Sequence, residues 1–188
     1  IAEEVERIDS ILIKMRAASR GTAAPRIEVR FEKVARKVLS DLEVLCRSQH
    51  VAVEFLVEEG IPPVVADPTE IEQIFTHLLT NALFEMQQGG RLGVRLTLDE
   101  GFIHLEISDT GRGIPKEHLN QIFDPFFTTR EMGRGTGLGL ASAYGIIKNH
   151  NGFINVYSEK GEGTTFNIYL PASGKEAVKA KAIDEELI

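Results

Sequence analysis

Asp109-Thr110-Gly111-Arg112-Gly113-Ile114-Pro115 is the stretch on which the reading of the fold turns. Just upstream, Ile103, Leu105 and Ile107 alternate along one face of a strand, and Asp109 ends it. Two glycines at this spacing let the backbone come close to a flat ligand. A half-buried carboxylate there can accept a hydrogen bond from an exocyclic amine, such as that of adenine. The same residues also read as a plain Asp-Gly turn, and the stretch alone leaves both open.

Outward from it, the pattern is regular. Arg91–Leu98 and Phe102–Ser108 read as strands of a hairpin around Asp99-Glu100-Gly101. Before them a helix opens at Asp67-Pro68, with proline in a favourable first-turn position. It runs through Ile71, Ile74, Phe75, Leu78 and Leu79 to about Met86, where Gly89-Gly90 ends it. Earlier still, Ile27, Val29 and Phe31 alternate as a short strand. Val34, Val38, Leu42 and Leu45 give helical spacing across Glu32–Gln49, Val51–Val57 alternates again, and Pro62-Pro63 breaks the chain. On the C-terminal side a loop of about 27 residues, from Asp109 to Thr136, is longer than compact domains usually carry and reads as a functional lid. A helix over Gly137–Asn149 and a hairpin of Phe153–Ser158 with Thr164–Leu170 complete the order. This succession predicts a two-layer α/β sandwich, a mixed sheet with helices on one face.

The leader differs in kind. Ile1, Val5, Ile8, Leu12 and Met15 follow a four-three rhythm, the seam of a coiled coil or helical bundle, although an ordinary amphipathic helix gives the same marks. It fades by Arg20, and 21–25 reads as a linker. The expected division is a partial helix at 1–20, a domain at 26–171 and a charged, Ala-rich tail at 172–188.

Three further stretches carry chemistry. Gly133-Arg134-Gly135-Thr136-Gly137-Leu138-Gly139-Leu140 opens a helix, where exposed backbone N–H groups favour phosphate. No Lys-Ser/Thr follows at Walker spacing, and the dinucleotide spacing fails. His77 and Asn81, four apart, share one face of a strongly apolar helix. The Asn81 amide needs partners there. It could make a core hydrogen bond, or its carbonyl could ligate Mg²⁺. In Phe123-Asp124-Pro125-Phe126-Phe127-Thr128-Thr129-Arg130 the aromatics can clamp the loop, and Arg130 is within reach of a terminal phosphate or is simply solvated.

Taken together, these stretches resemble the ATP-binding catalytic domain of sensor histidine kinases in the GHKL superfamily. The likeness spans Arg26 to Pro171. Glu72–Ala82 looks like the N box, Asp109–Gly113 the D-x-G-x-G box, Phe123–Phe127 the F box and Gly135–Leu140 the second glycine box. Gly163-Thr164-Thr165-Phe166 with Leu170-Pro171 is similar to the usual ending. The wording of the F box and of Tyr144–Lys148 is similar to kinases of the nitrogen-regulation type.

The resemblance implies a Bergerat ATP-binding fold with ATP and Mg²⁺ as ligands. It implies that Asp109 takes the adenine amine, that Thr164 supports the base through water, and that Asn81 holds the metal. The amides of Gly135, Gly137 and Gly139 would face the phosphates and Arg130 the γ-phosphate. Gly111, Gly113, Ile114, Thr136 and Leu138 would be further nucleotide contacts, and His77, Asn81 and Arg130 the catalytic set. The leader would be the second helix of a dimerising phosphotransfer hairpin, with a response-regulator receiver domain as partner and the cytoplasm as location, in a full-length protein that could carry a membrane anchor. His77 departs from the pattern, which commonly has Asn there. The acceptor motif, a histidine followed by an acidic residue and Asn-Pro, does not occur in these 188 residues. The alternatives are another GHKL ATPase, which would place a glutamate base where His77 stands, and a nucleotide-binding regulatory module without catalysis.

Composition bounds the rest. A net charge of −7 with no basic run argues against a nucleic-acid surface. One cysteine, Cys46, allows no internal disulfide and has no zinc-site partner. No apolar run reaches the roughly 18–20 residues of a membrane span. The chain starts on Ile1 inside a helical pattern, so the expectation is an excised piece of a longer protein, without membrane contact of its own.

Overall fold

The computed structural model describes residues 25–130 and 135–173. The expected leader helix, most of the linker, Gly133, Arg134 and nearly all of the tail lie outside the described residues. The elements are β1 (Ile27–Val29), α1 (Phe31–Asp41), α2 (Glu43–Ser48), β2 (Val51–Val57), β3 (Val64–Ala66), α3 (Pro68–Glu85), β4 (Gly90–Asp99), β5 (Phe102–Asp109), α4 (Gly139–Asn149), β6 (Phe153–Glu159) and β7 (Gly163–Pro171), with a 3₁₀ turn at Lys116–His118.

Five strands form one sheet in the order β2-β4-β5-β7-β6. β2 runs parallel to β4, and the other neighbours are antiparallel, so the sheet is mixed as expected. β1 and β3 make a separate antiparallel pair that sets Ile27 opposite Ala66. The pleat sends alternate residues to opposite faces. Leu92, Val94 and Leu96 of β4, Ile103, Leu105 and Ile107 of β5, and Phe166, Ile168 and Leu170 of β7 are all buried. They share one core with Ile71, Ile74, Phe75, Leu78, Leu79 and Leu83 of α3. α3 packs in turn against α1 and α4. The alternate positions carry a polar and aromatic row, in which His104 stacks on Tyr169 at 4.4 Å and Tyr169 on Phe153 at 4.5 Å.

α3 starts where the sequence says it should. Asp67 Oδ1 accepts from the Thr69 amide at 2.8 Å, and Pro68 fills the first turn, where its missing N–H costs nothing. Its many buried apolar side chains give α3 most of its stability, at about 1.5–3 kcal/mol for each large one.

Four local expectations are corrected. Phe31 does not continue the first strand but opens α1, where its ring meets Phe75 edge-on at 5.7 Å; burial against α3 overrides the short alternation. The expected helix over Glu32–Gln49 divides at Leu42 into α1 and α2. β3 was not foreseen, because three residues between Pro63 and Asp67 are too few to show a period. α4 begins at Gly139 and not at Gly137, whose φ of +66° lies outside the right-handed helix.

Candidate functional site

α3 presents Gln73, His77, Thr80, Asn81 and Glu85 to a cleft of about 600 Å³. Gln73, His77, Asn81 and Glu85 are four apart, so they stack along one helical face. Opposite stand the start of α4, the segment after β5, and Thr164 at the head of β7. His77, Asn81, Gly113, Ile114, Arg130, Gly135, Thr136, Gly137, Leu138, Gly139 and Thr164 all line this one cavity, although they come from four regions of the chain. Asp109 and Gly111 sit behind that wall and not on it.

Asp109 ends β5 directly across from Thr164. It is only 7% exposed, and its Oδ1 accepts from the Gly111 amide at 2.8 Å. Burial raises its pKa from 3.8 to about 6, against the pull of the Gly111 and Thr164 backbone amides, while Glu85 adds a smaller upward push. Gly111 is wedged between this carboxylate and α3: a β-carbon there would meet Glu85 Cβ at 2.7 Å and Asp109 Oδ1 at 2.8 Å. Gly113 has φ +66°, and a β-carbon on it would run into the Glu159 carbonyl. The first glycine box is therefore pressed against α3 on one side and the β6–β7 hairpin on the other.

The hairpin replies through Ser158. Its Oγ accepts from the Ile114 amide at 2.7 Å, donates to the Gly163 carbonyl at 2.8 Å, and lies 2.9 Å from Thr164 Oγ1. On the other side Arg112 donates to Glu85 Oε2 through Nε at 2.9 Å.

One turn back along α3, Arg130 Nη2 donates to Asn81 Oδ1 at 2.7 Å. The same nitrogen lies 3.9 Å from Glu85 Oε1, and the guanidinium sits 3.6 Å from the centre of the Phe84 ring. The Asn81 oxygen thus already holds a cation. An amide oxygen with a carboxylate nearby is a fitting donor set for a hard divalent ion, which usually takes few protein ligands and completes its shell with phosphates and water. Among the described residues no cluster of three His, Cys, Asp or Glu could hold a metal.

His77 faces Gly139, whose β-carbon position is 3.4 Å from His77 Nδ1. Burial lowers the His77 pKa, which keeps the ring neutral beside the start of α4. Phe123 lies 5.1 Å from Tyr144 of α4 and 6.5 Å from Phe166 of β7, so the loop is clamped to the body of the domain by its aromatics. The Phe126 amide donates to Gly137 O at 2.9 Å, joining the aromatic stretch to the second glycine run.

The sequence reading missed Glu85, Phe84, Arg112 and Ser158. Glu85 could have been found, since it continues the four-residue step from His77 and Asn81. Ser158 could not, because its partners depend on the register of β6 with β7.

A mixed sheet roofed by helices, with this cleft between α3 and the loop after β5, defines the class. Residues 66–174 match the family described as histidine kinase-, DNA gyrase B-, and HSP90-like ATPase, and the chain belongs to that family. Among curated relatives, it is 34% identical over 172 residues to sporulation kinase E of Bacillus subtilis (strain 168), covering 91% of this chain and 23% of the relative. It is 42% identical over 152 residues to sensor kinase CckA of Brucella abortus (strain 2308), covering 71% and 16%. The chain thus spans under a quarter of the length of these two relatives. A crystallised catalytic domain of histidine kinase ThkA superposes with a TM-score of 0.71 at 27% identity, covering 79% of this chain and 97% of that one. ThkA in complex with the response regulator TrrA shares the fold, with a TM-score of 0.70 at 24% identity over 92% of this chain and 49% of that one.

Proposed function

We propose that this chain is the ATP-binding catalytic part of a two-component sensor histidine kinase, which moves the γ-phosphoryl group of Mg-ATP to a histidine outside these 188 residues. The observation that carries the reading is the gathering around one cleft of Thr164 on its wall with the buried Asp109 carboxylate directly across from it behind that wall, a run of glycine amides at the start of α4, and the Asn81–Arg130 pair. The first suits an adenine amine, the second phosphates and the third the charged end of a triphosphate. Asp109 takes the amine. Gly135, Gly137 and Gly139 turn N–H groups to the phosphates, and Thr136 and Leu138 fill the wall between them. Asn81 holds the metal, with Glu85 close by; bound there, Mg²⁺ neutralises charge on the phosphate oxygens. Arg130, once off Asn81, is free for the γ-phosphate. His77, neutral at the mouth of α4, donates or accepts one hydrogen bond near the phosphates. In such a transfer the protein mostly positions and stabilises charge.

The receiver domain of a response regulator is the proposed next acceptor, with dimerisation through an upstream hairpin and action in the cytoplasm; no helix among the described residues is long and apolar enough to cross a membrane. Kinship to the nitrogen-regulation type rests only on the wording of Phe123–Phe127 and Tyr144–Lys148, while the relatives carry other names.

Calorimetry tests the site. Asp109→Asn should weaken ATP binding by about 1–3 kcal/mol, the range for a buried hydrogen bond to a charged group. Unchanged affinity would refute the adenine assignment.

A further inference from the structure

Ser158 has one hydroxyl proton and three polar neighbours. The Ile114 amide, 2.7 Å away, can only donate to it. The Gly163 carbonyl, 2.8 Å away, can only accept, so the Ser158 proton belongs there. That settles the third contact. Thr164 Oγ1, at 2.9 Å, must donate its own proton to Ser158. If the Ser158 proton turned to Thr164 instead, two bare oxygens would face each other at 2.8 Å. With its proton committed, the Thr164 hydroxyl offers the cleft lone pairs alone. Asp109, its cross-strand neighbour, is an acceptor too when ionised.

We infer that Ser158 is a positioning residue for base selection: by fixing Thr164 as an acceptor, it makes the base end of the cleft take an exocyclic amine and turn away a carbonyl in the same place. It never needs to touch the nucleotide. It also ties Ile114 to the β6–β7 hairpin, so the wall beside the base and the polarity of that wall are set by one oxygen. A site whose polar groups are all of one kind rejects the mismatched analogue strongly, because the mismatch leaves buried acceptors opposed by another acceptor. The inference rests on the proposed assignment of Asp109 and Thr164 to the base.

The test compares ADP with the diphosphate of 6-methoxypurine riboside, which puts an oxygen acceptor in place of the amine and, unlike inosine, leaves N1 without a proton; diphosphates leave γ-phosphate contacts and turnover out. Affinities are measured by calorimetry at pH 8, where Asp109 is ionised, on the 188-residue chain. The parent prefers ADP. Ser158→Ala frees the Thr164 proton to point into the cleft, and the preference for ADP over this analogue drops about fivefold, the worth of one hydrogen bond. Thr164→Val lowers the preference by itself, and adding Ser158→Ala to it changes the ratio no further, as required if Ser158 acts through Thr164. Equal losses for both nucleotides in Ser158→Ala, or an undiminished effect in the Thr164→Val background, overturn the inference. Asp109→Asn separates the two levels. If it lowers the preference while Ser158→Ala does not, the base site stands and the role of Ser158 falls. If neither variant moves the ratio, the base assignment itself falls.

Discussion

Asp109 lies 7% exposed beneath Gly111, and burial sets its pKa at about 6 in the folded chain against 3.8 as a free side chain. Between those values the folded state keeps a proton that the unfolded state has released. The free energy of unfolding therefore falls as pH rises through that window, by on the order of 3 kcal/mol in all by pH 7. Asp109→Asn has no such slope. The variant should be more stable than its parent at pH 7, with the difference vanishing near pH 4. Thermal melts across that range check this, and a difference independent of pH would contradict it. The residue that would bind the base is thus held at a cost to the empty fold. At this scale the sequence singled out side chains that the fold gathers at or just behind one cleft, and was poor on how they meet. Asp109, Asn81 and Thr164 stand in recognisable words, whereas the Asn81–Arg130 bond joins residues 49 apart and the Ser158 contacts follow from strand register.

Long periodic elements were legible, and short or strained ones were not. α3 declared itself by its cap, its proline and its apolar stripe; β3 had three residues in which to do so. The start of α4 was misjudged by two residues because a glycine can either begin a helix or stand aside from it. Gly137 stands aside, with φ +66°, and a β-carbon on it would run into the Phe126 carbonyl carbon. A side chain there would be strained in conformation and would push the aromatic stretch off the second glycine run. Gly137→Ala should therefore cost nucleotide affinity at least tenfold, about 1.4 kcal/mol, while the core melts nearly as before. Calorimetry paired with a thermal melt reads both. Normal affinity in a stable variant would show that the Phe126–Gly137 junction does not shape the site.

As a whole, the molecule places its chemistry on the helical side of the sheet, between α3 and the loop that follows β5. The order of the longer elements was readable because β2, β4, β5, β6 and β7 run far enough to alternate and α1, α3 and α4 far enough to repeat. The cleft was not, since it needs the packing of regions that the sequence lists apart. Alone, the 188-residue chain should take up no label from γ-labelled ATP. Given a separate helical hairpin bearing the acceptor histidine, it should transfer acid-labile, base-stable label to that hairpin. Labelling of the chain by itself, or none of the hairpin, would count against the proposed division of labour.

If Asn81 holds the metal as proposed, its bond to Arg130 makes the guanidinium an internal competitor for the ion. Arg130 is bound to the chain whose Asn81 it occupies, so it competes for that oxygen at a fixed and high local concentration that no dilution lowers. A bare metal ion must displace this tethered competitor for a single protein oxygen in return. A metal arriving on a triphosphate brings a new anion for the displaced guanidinium at the same moment. With those proposed roles the cleft would favour the metal–nucleotide complex over either part alone, a coupling between two ligands produced by removing a third.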